Sequence, residues 1–481
     1  MFEVYIHVPF CYRRCGYCDF NTYTAVDMGG GASRGNYANL AIDEMRLVRE
    51  WQERHGIDEP AASSVFFGGG TPTLLPAVDL GRMLHAVKDI WGIEAGAEIT
   101  TEANPDTVDE QYLEALAEAG FTRISFGMQS AVPHVLKTLD RTHTPANVTA
   151  GVKAANKVGL RSSVDLIYGA PDESMDDWRK SVETAIELGV NHISAYALTV
   201  EPTTKMGRQI KAGTIAKPDD DDEAAKYEIA DELFKQAGLQ WYEISNWARP
   251  GYESRHNLGY WRNVDWAGIG PGAHSHYRTS NVGAWQEHAV SGARDIGEDG
   301  FRKTNTAQTE CNVSGNQSDF QTVDVNKQIN QSITYTAESG AKSASTKSAL
   351  SRGTGLETRF DTENSMQSDA AQFGVRAWDI AHPRKWAEAM DAGNVPWQGS
   401  EAITHEENLE ETVMLGLRVR EGLDISRIEQ ASGHVVDRAK LDEIKQSGLI
   451  EIHEENCIVP TLKGRLLNDT VIEQVLDICD W

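Results

Sequence analysis

About the first 245 residues alternate short β-branched runs with amphipathic stretches, and this alternation restricts the fold more than any other feature of the sequence. The β-branched runs predict strands at 4–8, 64–67, 98–101, 123–126, 162–167 and 192–197. The stretches between them predict helices at 40–50, 78–90, 109–119, 147–158, 175–188 and 223–237. Repeated βα units of this length form a parallel sheet, so the chain is predicted to have an α/β fold.

Six βα units predict a partial, TIM-like (β/α)6 barrel that is closed or nearly closed. In such a barrel the functional site lies at the carboxyl ends of the strands. An open doubly wound sheet is the alternative architecture that the pattern leaves open.

The βα rhythm stops at about residue 278. From there to 373 the chain is rich in Ser, Thr, Asn and Gln, contains no proline and lacks sustained apolar periodicity. Such a segment buries too little apolar surface to offset its ordering entropy, so we expect a disordered polar insertion. The predicted organisation is a barrel over 1–277, the insertion over 278–373, a return segment to the core over 374–400 and a C-terminal domain over 401–481.

The C-terminal domain combines helical patterns with a predicted β-hairpin at 449–452 and 457–460, which resembles a small, winged-helix-like helical domain. Winged helices are commonly associated with DNA. This domain, however, has 18 Asp and Glu against 8 Lys and Arg, a net charge of −10. Because such a charge repels a phosphate backbone, we expect a packing role and no nucleic-acid partner.

The charge and hydropathy of the whole chain exclude further classes of protein. Its formal net charge is −27, from 45 Lys and Arg against 72 Asp and Glu, which argues against binding by phosphate neutralisation. No run approaches the roughly 20 apolar residues that a membrane-spanning helix needs. The chain opens into a predicted strand without the basic region of a signal peptide. We therefore expect a cytoplasmic protein with no integral membrane segment.

Three of the six cysteines lie within eight residues, in the pattern Cys-x3-Cys-x2-Cys. They are Cys11, Cys15 and Cys18, whereas Cys311, Cys457 and Cys479 lie apart. A tight cysteine cluster in a cytosolic chain indicates a metal site, since thiols stay reduced there. Iron–sulfur cubanes normally take four cysteines, so three would leave one iron open to a small molecule. A zinc site completed by a distant residue is the alternative.

With an aromatic residue, Tyr17, before its last cysteine, this motif at the end of the first strand resembles the radical S-adenosylmethionine (SAM) superfamily. The resemblance implies a radical SAM barrel, a [4Fe-4S] cluster and SAM bound to the open iron. The opening Tyr5-Ile6-His7-Val8-Pro9-Phe10-Cys11 is similar to that of oxygen-independent coproporphyrinogen III oxidases and their relatives.

Further motifs follow successive predicted strands and match ligand positions of the superfamily. Gly68-Gly69-Gly70-Thr71 follows the second strand, where glycines let the backbone approach a ligand. A carboxylate at the end of the third strand is placed to hold a ribose or an amino group. The resemblance assigns these residues to the SAM site: Tyr5, Tyr17, Gly69, Gly70, Thr71, Glu102, Gln129, Arg141, Asp165 and Ala197.

Two features resemble the HemW group of haem chaperones within this branch. Coproporphyrinogen oxidases carry a fourth cysteine two residues after the third, but this chain has Phe20 there and reads Cys-Asp-Phe. The sequence His256-Asn257-Leu258-Gly259-Tyr260-Trp261 resembles the haem-binding motif of the HemW group.

The resemblance implies that haem is bound by His256, Asn257, Tyr260 and Trp261. A neutral imidazole is a common axial ligand of haem iron, so His256 is the expected ligand, with Asn257 orienting its ring. His274 and His276 are weaker candidates. Without the resemblance, His256 would read as a loop histidine beside core aromatic residues.

The expected function is that of a haem chaperone with a [4Fe-4S] cluster, SAM and haem, which delivers haem to unidentified haem-dependent proteins. One alternative is an oxygen-independent coproporphyrinogen III oxidase, which decarboxylates propionate side chains by radical chemistry. A zinc-stabilised interaction protein is a third possibility if the cysteines bind zinc. The insertion departs from the family pattern, although a long surface loop adds little closure entropy.

Overall fold

The structure is a computed structural model that describes residues 1–278, 373–454 and 456–479. The predicted insertion at 278–373 lies outside the described residues except for its two end residues. Within the described residues, no helix is long and apolar enough to cross a membrane.

All six predicted strands and all six predicted helices are confirmed, with ends that differ by up to several residues. Twelve strands form one sheet, β1 to β12 in chain order: Phe2–Val8, Ala62–Gly69, Ile93–Ala103, Arg123–Gln129, Arg161–Tyr168, His192–Ala197, Gln240–Glu243, Asn246–Ala248, Asp265–Ile269, His274–Tyr277, Gly374–Asp379 and Trp397–Ile403. A second sheet contains β13 to β15: Leu423–Asp424, Ile450–His453 and Cys457–Pro460. The helices of the described residues, α1 to α15, are Tyr37–Arg54, Ala77–Ile90, Glu110–Ala119, Pro133–Thr138, Pro145–Lys157, Met175–Glu187, Lys205–Lys211, Asp220–Gln236, Arg255–Trp261, Pro383–Asp391, His405–Gly416, Ile425–Ser432, Arg438–Gln446, Leu462–Leu466 and Asn468–Asp477.

The strand order decides between the two predicted architectures. Strands β1 to β6 are parallel and lie side by side in chain order. In a doubly wound sheet, successive strands are added first on one side and then on the other side of a central first strand. Here β2 to β6 are all added in chain order on the same side of β1. Because βα crossovers are right-handed, a sheet wound one way carries its helices on one face. The partial barrel is therefore confirmed.

The two faces of the barrel strands differ in chemistry because successive side chains point to opposite sides. The outer face carries the core residues that pack beneath the helices, such as Val4, Ile6, Val65 and Phe126. The inner face is polar, and its side chains are buried or partly buried. Its side chains include Glu3, Tyr5, His7, Ser64, Glu98, Glu102, Arg123, Ser125, Asp165, His192 and Ser194.

Four more strands extend the sheet beyond β1, and the predicted return segment supplies β11 and the start of β12. Strand β9 pairs in parallel with β1, and β10, β11 and β12 continue the sheet in antiparallel pairs. The insertion connects β10 to β11, whose facing residues are Tyr277 and Val375. The chain therefore leaves and re-enters the sheet at neighbouring positions, so the insertion interrupts a hairpin and not the barrel.

The C-terminal domain has its own apolar core, which includes Leu409, Leu423, Ile428 and Ile458. Its elements run α11, β13, α12, α13, β14, β15, the order of a winged helix, and its sheet has the order β13-β15-β14. The predicted hairpin is β14–β15.

Buried arginine contacts join this domain to the barrel. Arg376 on β11 pairs with Glu411 at 2.8 Å. Arg465 pairs with Asp231 at 2.9 Å and lies 4.4 Å above the ring of Trp241. These contacts are consistent with the predicted packing role.

Candidate cluster and cofactor site

The three clustered cysteines lie on the long loop between β1 and α1, hereafter the cluster loop (residues 9–36). The loop leaves the carboxyl end of β1, where a barrel places its site. Cys11, Cys15 and Cys18 are free thiols and are half-buried. No group of three or more His, Cys, Asp and Glu side chains in the described part of the chain is arranged around a single metal ion. Whether an iron–sulfur cluster fits here therefore depends on the three thiols and on the groups that surround them.

Main-chain and side-chain hydrogen bonds fix the base of the cluster loop. The Tyr23 amide donates to Pro9 O at 2.7 Å, which closes the loop on itself. The Asn21 amide group donates to Pro271 O at 2.7 Å and to Ala381 O at 2.8 Å. Because Ala381 follows β11, the return segment holds the cluster loop directly.

The environment of the thiols favours a compensating positive charge. Burial raises the pKa of Cys11, and it raises the pKa of Cys18 to about 12. Arg141 Nη1 donates to Cys15 Sγ at 3.4 Å, and Thr71 Oγ1 donates to Cys11 Sγ at 3.8 Å. Neutral thiols at this depth become thiolate ligands only when a cation binds them, and the iron of a cluster supplies that charge.

Asp140, which no sequence motif singled out, clasps the cluster loop from outside. Its Oδ1 accepts from Arg13 Nη2 at 2.6 Å, and its Oδ2 accepts from Lys205 Nζ at 2.7 Å. A methyl group on Gly16 would lie 2.7 Å from Asp140 Oδ2, so the loop passes directly over this carboxylate. The only sequence signal was its position beside Arg141.

The glycine turn after β2 packs against the start of the cluster loop. A Cβ on Gly70 would lie 2.6 Å from Phe10 O and 2.9 Å from Val8 O. Gly69 has φ +102°, and a Cβ there would meet the His7 ring at 2.6 Å. These glycines are therefore required by the close approach of two backbones, whether or not a ligand also contacts them.

Gly70→Ala is expected to lower the iron content reached on anaerobic reconstitution by about half or more, because the added methyl displaces the backbone before Cys11. Gly35→Ala is the matched control, since a Cβ on this glycine meets nothing within 4 Å. Iron and sulfide analysis of both variants measures the effect. Equal iron in the two variants would contradict the prediction.

Two partly buried carboxyl groups lie beyond the glycine turn on the inner face. Glu102 Oε2 accepts from the Gly69 amide at 3.2 Å. Asp165 accepts from Ser194 Oγ at 2.7 Å and from Ser125 Oγ at 2.9 Å. Burial, followed by the charge of Asp165, raises the pKa of Glu102 to about 8. Glu102 is therefore mainly protonated at neutral pH and donates or accepts a hydrogen bond according to its partner.

Glu102→Gln is expected to flatten the pH dependence of stability between about pH 4.5 and 8. The folded carboxyl has a raised pKa and keeps its proton over this range, whereas the unfolded carboxyl releases it above the ordinary glutamate pKa of 4.5. Folding therefore takes up a proton, and the free energy of unfolding falls as pH rises towards 8.

Urea unfolding of the metal-free chain from pH 5 to 8 measures this slope. Glu118→Gln, on the exposed side of α3, makes the same substitution at a solvent-exposed carboxyl group. A Glu102→Gln slope that matches the wild-type slope would contradict the assignment.

Among the described residues, the buried polar atoms without a hydrogen-bond partner at the carboxyl end of the barrel include Gln129 Oε1 and Arg141 Nε. Gln129 has φ +60°, at an irregularity in the pairing of β4 with β5. Buried polar groups are normally paired, so these atoms fit the polar groups of a bound molecule. The residues present fit SAM in this respect.

Asn104 links several of these groups, although no sequence motif singled it out. Its Oδ1 accepts from Arg141 Nη2 at 2.6 Å, and its Nδ2 donates to Thr71 Oγ1 at 3.3 Å. Arg141 Nη2 also donates to Gly127 O at 3.1 Å. The residue follows β3 directly, and that position at a strand end was the available signal.

The remaining predicted SAM residues lie at different places around the site. Tyr5 lies inside the barrel, where its hydroxyl is 3.1 Å from His7 Nδ1. Tyr17 packs against the apolar cluster of α4 and α7 beside the cluster loop. Ala197 ends β6, and its methyl group belongs to the outer core, so its main chain is the part near the site.

The predicted haem ligand His256 lies at the opposite end of the barrel interior and is 1% exposed. Its Nδ1 is 2.7 Å from Ser64 Oγ, and its Nε2 is 3.0 Å from Tyr260 Oη. The ring stacks on Phe66 with centroids 5.0 Å apart. Burial lowers the pKa of His256 to about 3, so the ring is neutral. With both nitrogens engaged, this arrangement does not present His256 to a haem iron.

Of the other motif residues, Tyr260 contacts the imidazole. The role of Asn257 in orienting the ring stays a prediction, and in this structure its side chain bonds a different residue. Asn257 Oδ1 accepts from Ser254 Oγ at 3.1 Å. Trp261 packs against Leu415 and Val419 of the C-terminal domain. His256 and Tyr260 share one side of α9, and Asn257 and Trp261 share another, because residues four apart lie on the same face of a helix. The motif therefore fills the barrel and docks the second domain.

The two weaker haem candidates lie on β10. His276 is buried and stacks on Trp266 with centroids 4.8 Å apart, and Trp266 in turn meets Tyr260. His274 is half-buried, and burial lowers its pKa to about 4. His276 therefore joins the aromatic group around His256.

Comparison with known proteins places this arrangement in a family. Residues 5–185 match the model of the radical SAM superfamily, and residues 403–467 match the HemN C-terminal domain. The heme chaperone HemW of Mycobacterium tuberculosis is 34% identical over 478 residues, which cover 99% of this chain and 95% of that protein. The chain belongs to the HemW family. The heme chaperone HemW of Escherichia coli is 38% identical over 273 residues, or 56% of this chain and 69% of that protein.

A solved structure supports the fold. The coproporphyrinogen III oxidase HemN from Escherichia coli, a radical SAM enzyme, superposes with a TM-score of 0.65 at 19% identity, covering 100% of this chain and 90% of that chain. This similarity extends through both the barrel and the C-terminal domain. Membership of the radical SAM superfamily implies a [4Fe-4S] cluster and SAM as cofactors.

Proposed function

We propose that the chain is a haem chaperone, which holds a [4Fe-4S] cluster and SAM at the carboxyl end of its barrel and delivers haem to haem-dependent proteins. The observation that carries this proposal is its similarity to a HemW haem chaperone along nearly its whole length. The Cys-Asp-Phe sequence agrees, because Phe20 occupies the position of the fourth oxidase cysteine. The recipient proteins are a class defined only by their need for haem.

The contacts of the cofactor site support distinct roles for its residues. Cys11, Cys15 and Cys18 would hold the cluster, which with SAM supplies one-electron chemistry when bound. Arg141 supplies positive charge beside Cys15 and keeps the unpaired Nε for a ligand. The clasp at Asp140 keeps the cluster loop closed over the barrel.

The inner carboxyl groups would distinguish the polar ends of SAM. Asp165 is held by two serine hydroxyls and is oriented before a ligand arrives. Glu102, with its raised pKa, can change its protonation state at little cost near neutral pH. A ribose hydroxyl or an amino group would find both an acceptor and a donor here.

Parallel assays on one preparation test the function. The full chain is reconstituted anaerobically and titrated with haem, and it is then incubated with coproporphyrinogen III, SAM and a reductant. We expect roughly one haem per chain and no detectable decarboxylation, because a carrier needs a retained haem and no turnover. Transfer of the bound haem to an apo-haemoprotein, followed by absorption, would support delivery. Sustained formation of protoporphyrinogen IX would establish the oxidase instead.

A further inference from the structure

A cavity of about 310 Å³ lies between α7 and α8 and opens to solvent on one side. Pockets for small molecules and cofactors commonly have volumes of about 300–1,000 Å³. Five apolar side chains line it: Leu198, Val200, Pro202, Ile210 and Pro218. Leu198 directly follows β6, so the cavity lies at the same end of the barrel as the cluster loop.

The α7 wall of the cavity is joined to the cluster loop. The Met206 amide donates to Gly16 O at 2.8 Å, and Lys205 belongs to the Asp140 clasp. The apolar cluster that includes Tyr17, beside the last clustered cysteine, also includes Ile210 of the cavity. A molecule in the cavity would therefore contact the same helix that fixes the cluster loop.

The α8 wall is held in place by buried polar contacts. Lys226 Nζ lies 3.1 Å from Glu173 Oε2 and 2.7 Å from Asp222 Oδ2. Trp178 Nε1 donates to Lys226 O at 2.7 Å. Because neither wall depends on a ligand for its position, the cavity is preformed.

Charged side chains divide the rim into two parts. Asp220 and Glu223 line the α8 side, and the Glu223 carboxylate lies against Gly169. Lys211 and Lys217 line the other side and are exposed. Neither lysine forms an ion pair with a carboxylate among the described residues. Two free ammonium groups beside an apolar cavity are suited to an apolar molecule that carries carboxylates.

We propose that this cavity binds the edge of a tetrapyrrole that carries two carboxylate side chains, with the carboxylates at Lys211 and Lys217. This inference rests on the proposed function, and it locates the haem. A macrocycle larger than the cavity remains partly uncovered, which leaves an edge for a recipient protein to take. The buried position of His256 agrees, since that residue does not reach solvent.

Titrations with haem and with its uncharged dimethyl ester test the proposal, using the full, anaerobically reconstituted chain. Lys211→Glu/Lys217→Glu is expected to weaken haem binding about tenfold or more, or about 1.4 kcal/mol, and to leave dimethyl ester binding unchanged. Ile210→Trp fills the cavity and is expected to weaken binding of both ligands. Lys88→Glu/Lys153→Glu makes the same change of charge on α2 and α5 and should bind haem like the wild type.

The outcomes separate this inference from the proposed function. Iron content and thermal melting establish that each variant is folded. Wild-type affinity for haem in both cavity variants would overturn the cavity assignment alone, as would an equal loss in the Lys88/Lys153 variant. A wild-type chain that binds no haem would overturn the carrier function and, with it, the assignment.

Discussion

Replacing Cys11, Cys15 or Cys18 by Ala is expected to abolish the broad visible absorption of the reconstituted protein. The wild-type chain should hold about four irons, and each single variant should lose nearly all of them, because a cubane with three protein ligands does not tolerate the loss of one. The half-buried thiols share one loop and have no other cysteine near enough to replace them among the described residues. Iron and sulfide analysis with absorption spectroscopy gives the measurement.

Cys457→Ala is the matched control for these variants. Cys457 is also half-buried, but it lies on β15 of the C-terminal domain, where its Sγ donates to Glu421 O at 2.9 Å. Its replacement should leave the iron content unchanged. Stoichiometric zinc without iron–sulfur absorption in the anaerobically purified wild type would favour the zinc alternative and remove the basis for the cluster.

The repeated part of the fold was predictable because its determinants are local. Each βα unit combines a β-branched run with an amphipathic helix, and several helices begin at recognisable caps. Thr144 and Ser174, for example, form capping boxes at α5 and α6. Right-handed crossovers then leave few ways to order six parallel strands.

Elements that depend on distant partners were not predicted. Strands β10 and β11 pair across the whole insertion, and no local pattern announces that Tyr277 faces Val375. The short β7–β8 hairpin and β13 are held by their neighbours in the sheets and carry weak patterns of their own. Tertiary contacts override local preference in such segments.

The candidate site also combines features that were predictable from local sequence with features that depend on distant partners. The cysteine spacing and the glycine turn are short-range signals, and the structure places them together at one end of the barrel. The contact of His256 with Ser64 is not short-range, since the two residues lie 192 positions apart in the chain. The motif that predicts a haem ligand forms, in this structure, a buried contact between α9 and β2.

His256→Ala is expected to lower the free energy of unfolding by about 3 kcal/mol, because it removes a packed ring and breaks its hydrogen bonds to two hydroxyl groups. The hydroxyls belong to Ser64 and Tyr260, and the vacated space adjoins Phe66. Chemical unfolding of the metal-free chain measures the change. His85→Ala is the control, since the His85 side chain on α2 is 72% exposed and its loss should change stability by less than about 0.5 kcal/mol.

Haem binding by His256→Ala distinguishes a structural role of His256 from a role as an iron ligand. If His256 is a structural contact, folded His256→Ala should still bind haem at low temperature, with a Soret band like that of the wild type. If it is an iron ligand exposed by movement of α9, the variant should keep wild-type stability and lose the Soret band, and added imidazole should restore it. The second result would contradict the buried, doubly hydrogen-bonded arrangement as the haem-binding state. The first would direct the search for the haem to the other end of the barrel, where the cluster loop meets α7.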